Sequence, residues 1–143
     1  MMEKYMLEAL KEADKAFKLG EVPIGAVIVK DGKIISRAFN KKESSNLATS
    51  HAEILAINKA CKKLNNWRLL DCTLYVTVEP CLMCCGAIIQ SRIKKVVYGT
   101  PNEYYGAVES IDNTLKKYNI EVENNILQNK CSYILKEFFK KRR

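Results

Sequence analysis

Residues 73–99, TLYVTVEPCLMCCGAIIQSRIKKVVYG, decide the fold. Thr73 to Val78 is a β-rich run. Pro80 falls where a helix accepts proline, in the first turn, and Cys81 to Gln90 continues as an apolar helix until Ser91. Lys95 to Gly99 is a second strand. Strand, helix and strand within about 27 residues make a parallel crossover, which is right-handed and lays its helix on one face of a sheet.

The segments on either side extend this unit. Met6, Leu10, Ala13 and Phe17 recur at helical spacing from residue 2 to about 19, and Gly20 closes that amphipathic helix. Ile24 to Val29 and Lys33 to Phe39 flank Asp31-Gly32, a strong two-residue hairpin signal, so they pair antiparallel. A helix spans about Ser50 to Leu64, entered through the Ser- and Thr-containing stretch Ser44 to Ser50. After Gly99 come a loop rich in Asn, Tyr and Gly (Thr100 to Ser110), a short helix near Ile111 to Tyr118 and a strand at Ile120 to Glu123. A last helix runs from about Leu127 to Lys140. With an antiparallel hairpin and a parallel crossover in one sheet, the reading is α/β with a mixed sheet. No repeat, linker or low-complexity tract divides residues 1–143, which predicts one domain.

Composition narrows the function. The 143 residues are 48% hydrophobic and 28% charged, with 3 Pro and 6 Gly, a balance that supports a packed core and excludes collagen-like or disordered classes. The longest uncharged stretch, Pro80 to Ser91, is far short of the roughly 20 residues of a membrane span. Glu3, Lys4, Glu8 and Lys11 break up any signal-peptide core, so the cytosol is the expected compartment. Six cysteines there read as metal ligands, redox groups or buried thiols. The net charge is +8, locally densest where Lys136, Lys140, Lys141, Arg142 and Arg143 face only Glu137, which points to a polyanion such as nucleic acid.

The chemistry concentrates in two places. His51, the one histidine, is followed by Ala52 and Glu53, and far downstream comes Glu79-Pro80-Cys81-Leu82-Met83-Cys84. Each piece opens a helix beside the strand Thr73 to Val78, so one imidazole and two thiolates can meet at one edge of the sheet. Such a set leaves a fourth tetrahedral position for water, the mark of a catalytic rather than a structural zinc. Helix N-termini favour thiolates at Cys81 and Cys84. With two thiolates the metal is a mild Lewis acid and needs a base, which Glu53 provides two residues beyond His51. Either piece alone reads equally well as a helix cap, core packing or a redox pair; together, with a carboxylate in place, they read as a site. Cys85 is a weaker rival to Cys84, while Cys61, Cys72 and Cys131 lack partners at metal spacing.

His-x-Glu followed by Pro-Cys-x-x-Cys is the signature of the zinc nucleobase deaminases. Beyond it, Glu21 to Val29, Asn40, Trp67-Arg68-Leu69, Thr73 to Cys81, Ser91-Arg92-Ile93 and Phe138-Phe139 before a basic end resemble the bacterial tRNA-specific adenosine deaminases over nearly the whole chain. The resemblance implies a three-layer α/β/α cytidine deaminase-like fold with a central mixed five-stranded sheet, one zinc ion per subunit, a homodimer and no organic cofactor. It implies conversion of adenosine to inosine at the wobble position of a tRNA anticodon stem-loop. It places Asn40 on the flipped base, Val22 and Pro23 on the pocket wall, Ala52 and Asn102 with the substrate-binding residues, and Phe138, Arg142 and Arg143 on flanking nucleotides. Of Phe138 and Phe139, one is expected on the core and one on the RNA. Leu47-Ala48, Asn102 and Glu109 depart from the family's Asp-Pro, Asp and Gly, and Tyr104 and Tyr105 are unusual; these changes bear on substrate range, with looser discrimination between RNA and DNA as the expectation at Asn102. Two rivals remain: a zinc deaminase of a free base or nucleoside (cytosine, guanine or related), and a noncatalytic zinc-stabilised RNA-binding module, which Glu53 argues against.

Overall fold

The computed structural model describes residues 2–141. Its elements are α1 (Met2–Lys18), β1 (Gly25–Lys30), β2 (Lys33–Phe39), α2 (Lys42–Ser45), α3 (Ala52–Leu64), β3 (Cys72–Val78), α4 (Leu82–Gln90), β4 (Lys95–Thr100), a 3-10 turn at Lys116–Tyr118, β5 (Glu121–Glu123) and α5 (Gln128–Lys141). The strands form one five-stranded sheet in the order β2-β1-β3-β4-β5. β1 runs antiparallel to β2 and β3, while β3, β4 and β5 are parallel, so the sheet is mixed. Asp31 (φ 51°) and Gly32 (φ 73°) both take the left-handed conformation that a tight hairpin turn requires.

Two cores sandwich the sheet, because successive strand residues point to opposite faces. Ala26, Ile28, Leu74, Val76, Val96 and Tyr98 pack with Ala52, Ala56, Ala60 and Ile57 of α3 and with Cys85 and Ile88 of α4. Their neighbours Val27, Val29, Tyr75 and Val97 pack with Tyr5, Met6 and Ala9 of α1 and Cys131 of α5. The result is a three-layer α/β/α arrangement. Ala9, Ala13 and Ala16 of α1 are fully buried, and this alanine stripe lets α1 lie close on β1. Among the described residues no helix is long and apolar enough to cross a membrane.

The structure departs from the sequence expectations at three places. α3 and α4 start later than read: His51 and Cys81 are N-caps, and Pro80 precedes its helix instead of lying in the first turn. The helix expected at Ile111–Tyr118 shrinks to the 3-10 turn, since the backbone N–H groups of Val108, Glu109 and Ser110 just ahead of it donate to the Glu79 carboxylate and the chain there winds around an anion. The stretch before α3 contains the extra α2, whose Glu43 and Ser44 N–H groups donate to the buried carboxylate of Glu21.

Gly25 is where α1 and the sheet meet most closely, and a Cβ there would run into the backbone of Ala9 and Ala13. Backbone cannot swing aside as a side chain can. Gly25→Ala is expected to cost about 3 kcal/mol or more, read as a lower urea midpoint with an unchanged m-value.

Candidate active site

The C-terminal end of β3 gathers the site. α4 leaves it directly through the crossover, and α3, on the same face, starts at the same edge. His51 (φ −74°, ψ 152°) and Cys81 (φ −77°, ψ 176°) hold the extended backbone of an N-cap, and their carbonyls accept the N–H groups of Leu55 and Cys85, both helices' first bonds. Neither side chain caps its own helix, which leaves both available to one another.

His51 Nδ1 lies 3.7 Å from Cys81 Sγ and 3.5 Å from Cys84 Sγ, and the three ligand atoms all fall within 4.8 Å of one another. A tetrahedral ion with nitrogen at about 2.1 Å and sulfur at about 2.3 Å requires ligand separations of about 3.6 Å. The donor set and its spacing therefore fit a metal, and this group could hold one. The Cys84 and His51 side chains beside Cys81 pull its thiol down to about 4 against the cost of burial, so it stands as a thiolate. Cys84 shifts upward, because it donates to Cys81 and is buried, and His51 shifts upward through its bond to Cys81.

Glu53, in the first turn of α3, is 4% exposed. Burial pushes its carboxyl up to about 7, with partial relief from its own N–H and the His51 ring. It also meets the Cys84 thiol, so it sits against the ligand group without belonging to it. Cys85 turns away: its thiol donates to the Pro80 carbonyl at 3.8 Å, and burial pushes it up to about 12. Cys61, Cys72 and Cys131 are free thiols outside the group.

The residues assigned to substrate divide. Val22, Asn102 and Phe139 line one cavity of about 450 Å³ together with Tyr104 and Tyr105; none of His51, Glu53, Cys81 and Cys84 lines it. Asn40, buried at the end of β2, donates from Nδ2 to the Val22 carbonyl (3.2 Å) and accepts the Lys42 N–H at Oδ1 (3.1 Å), which ties it to the cavity wall. Pro23 is buried beside it, and Ala52 is fully buried in the core under α3. The Asn102 side-chain oxygen accepts the Tyr105 N–H, so it shapes its own turn. Phe138 requires correction as an RNA-facing ring: it is 6% exposed and packs edge-on against Phe17, whereas Phe139 is 51% exposed and faces the cavity. Helical geometry forces this choice, since adjacent residues point about 100° apart. Arg142 and Arg143 lie outside the described residues.

One residue escaped the sequence reading except as part of a motif. Glu79 is 2% exposed, and although burial pushes its carboxyl up, donors from Ser110, Glu109 and Asn102 bring it below the usual carboxylate range. Its signal in the sequence is faint: a lone charge between the apolar run of β3 and the apolar α4.

The comparisons with known proteins agree with this geometry. A family model described as MafB19-like deaminase matches residues 2–143. The tRNA-specific adenosine deaminase of Streptococcus pyogenes serotype M1 is 48% identical over 143 residues, covering 97% of this chain and 84% of that one. A solved structure from a study of A-to-I editing by tRNA:A34 deaminases at the wobble position is 40% identical, covers 92% of this chain and 99% of its own, and superposes with a TM-score of 0.88. The guanine deaminase of Bacillus subtilis is 38% identical over 83% of this chain and 70% of its own, with a TM-score of 0.67.

Because Cys84 points at His51 and Cys85 at the Pro80 carbonyl, the two adjacent cysteines are separable. Cys84→Ala is expected to lose stoichiometric divalent metal, measured by plasma mass spectrometry on purified protein, and Cys85→Ala to retain it.

Proposed function

This chain belongs to the MafB19-like deaminase family and to the tRNA-specific adenosine deaminases, and from that membership we propose that it converts adenosine to inosine by hydrolysis at the wobble position of a tRNA anticodon loop. The observation that carries the reading is the convergence of His51 Nδ1 on the Cys81 and Cys84 sulfurs at 3.7 and 3.5 Å with the buried Glu53 against them. His51, Cys81 and Cys84 would hold one zinc ion per chain. When bound, that zinc supplies the Lewis acidity that makes water a nucleophile near neutral pH.

Glu53 manages the protons. Its carboxylate accepts one from the attacking water and passes it to ring nitrogen N1 of the adenine. It then carries the remaining proton of the added hydroxyl to the amino group, which departs as ammonia while the former water oxygen stays on the ring carbon as a carbonyl. Burial raises this carboxyl above the ordinary glutamate range, which suits a group that takes and returns a proton better than an ordinary surface glutamate. No redox step occurs, so no organic cofactor is required.

The target base must leave its stack to reach a site recessed in the protein. Asn40, with hydrogen-bonding capacity left beyond its contacts to Val22 and Lys42, is assigned to the flipped base, with Val22 and Pro23 on the wall and Ala52 under the ligand turn. Asn102 and Phe139 meet the neighbouring nucleotides. Lys136 and Lys140 line an adjacent cavity that shares Pro101, Glu103, Leu135 and Phe139 with the aromatic one, and with Lys141, Arg142 and Arg143 they outweigh the single Glu103 carboxylate and supply charge for phosphates. Leu82 and Met83 at the start of α4 expose apolar surface beside the ligands, which supports the homodimer the family resemblance implies. Residues 1–143 act as one domain in this reading, and a tRNA substrate supports a cytoplasmic location.

The likeness to a guanine deaminase favours one competitor, a deaminase of a free base, and substrate choice decides between them. Incubation with an anticodon stem-loop carrying a wobble adenosine is expected to yield inosine, read by sequencing. Turnover of free guanine or cytidine without inosine in the stem-loop would overturn the proposal. Glu53→Ala is expected to keep its zinc and lose turnover by at least about a hundredfold. Replacing Lys136 and Lys140 by Glu should raise KM for the stem-loop and flatten its dependence on log salt by about 1 per lysine, leaving zinc content unchanged.

A further inference from the structure

The buried carboxylate of Glu79 collects donors from one loop. Oε1 accepts the Asn102 N–H (3.1 Å) and the Ser110 hydroxyl, and Oε2 accepts the N–H groups of Val108 (3.1 Å), Glu109 (2.7 Å) and Ser110 (2.9 Å). The same loop touches the ligand turn directly: Ala107 N–H donates to the Pro80 carbonyl at 2.9 Å, and Gly106 forms a β-bridge with Cys81. Residue 106 must be small, because a Cβ there would collide with the Glu79 carboxyl. At the loop's far end the Glu109 carboxylate accepts the Tyr98 hydroxyl (2.7 Å) and Asn124 Nδ2 (2.8 Å). What stands clear is the tip, with Tyr104 81% and Tyr105 73% exposed, and that tip with Asn102 forms one wall of the cavity opposite Val22 and Phe139.

We propose that Glu79 is a positioning residue for the reaction: from beneath, it holds the loop 101–110 against the Cys81 turn, so that Asn102, Tyr104 and Tyr105 stand where the RNA strand beside the target nucleotide passes. The identity of the strand rests on the proposed tRNA substrate; the holding of the loop does not. Charge-assisted bonds to backbone N–H groups are strong, and here they are shielded from water, so one side chain sets the position of a segment with little apolar burial at its tip.

Two variants test this, each read by limited chymotrypsin digestion and by kinetics on the stem-loop. Glu79→Gln replaces an acceptor oxygen by an amide nitrogen facing N–H donors, and Ser110→Ala removes only the hydroxyl. Ser110→Ala is expected to accelerate cleavage after Tyr104 and Tyr105 by about tenfold, the effect of one lost charge-assisted hydrogen bond, and Glu79→Gln by more than that, each with a rise in KM for the stem-loop. Other cleavage sites and zinc content should not change. KM for the stem-loop should rise about tenfold in Glu79→Gln with kcat nearly constant, whereas mere loss of folded enzyme lowers apparent kcat at constant KM. Uniform acceleration at all sites, no acceleration, or an unchanged KM overturns the proposal. If Glu79→Gln does not fold, Ser110→Ala alone decides by the same criteria. Failure of the tRNA assignment is visible separately, as a native chain that makes no inosine yet shows the same digestion pattern.

Discussion

The parallel pairing of β3 with β4 is the constraint on which the site depends. A chain leaving β3 can reach a parallel neighbour only by recrossing the sheet, so α4 has to begin at the C-terminal end of β3. α3 packs on the same face and begins at the same edge, which brings two helix N-termini together with their unbonded N–H groups. That field favours sulfur as thiolate. The shared edge explains how residues separated by 30 and 33 positions in the chain come within reach of one another with no disulfide to hold them.

Around this edge three buried glutamates behave differently, and the supply of donors is what separates them. Glu21 accepts the N–H groups at the start of α2, and Glu79 is surrounded by loop amides and a hydroxyl. For Glu79 these donors more than offset burial, and the group is held as a carboxylate. Glu53 lacks such a ring of amides, so burial dominates and its carboxyl rises to about 7. One side-chain type thus anchors a loop in one place and, in the proposed reaction, handles protons in another. The same burial that would destabilise a purely structural carboxylate tunes the one assigned to chemistry.

What was legible in the sequence follows from range. Period-two and helical patterns are local, and they placed all five strands and the four long helices within a few residues. The convergence of His51, Cys81 and Cys84 was legible because a possible metal site restricts residue type and spacing. The failures were nonlocal. Nothing near Ile111 signals that the preceding amides are occupied by a carboxylate some 30 residues earlier, so a helix was expected where only a 3-10 turn forms. Nothing in Phe138-Phe139 says which ring faces inward until Phe17 is known to lie beneath one of them. The short α2 depends likewise on Glu21, 22 positions upstream of its first partner.

Anchoring by backbone amides also explains why the loop after β4 tolerates unusual residues. Four of the five donors to Glu79 are main-chain N–H groups, which every residue but proline supplies, so the anchoring of the loop on Glu79 is nearly independent of its side chains. Only Gly106, pressed against the carboxyl, and Ser110, through its hydroxyl, are constrained by it. Asn102, Tyr104, Tyr105 and Glu109 can then vary without moving the ligand turn. Glu109 uses that freedom to bind Tyr98 and Asn124, adding a tether between the loop and the segment leading into α5 that a glycine could not make. In the proposed reaction, recognition surface and reactive centre are mechanically joined through Glu79 yet chemically separable, because the joint consists of amides and the recognition of side chains.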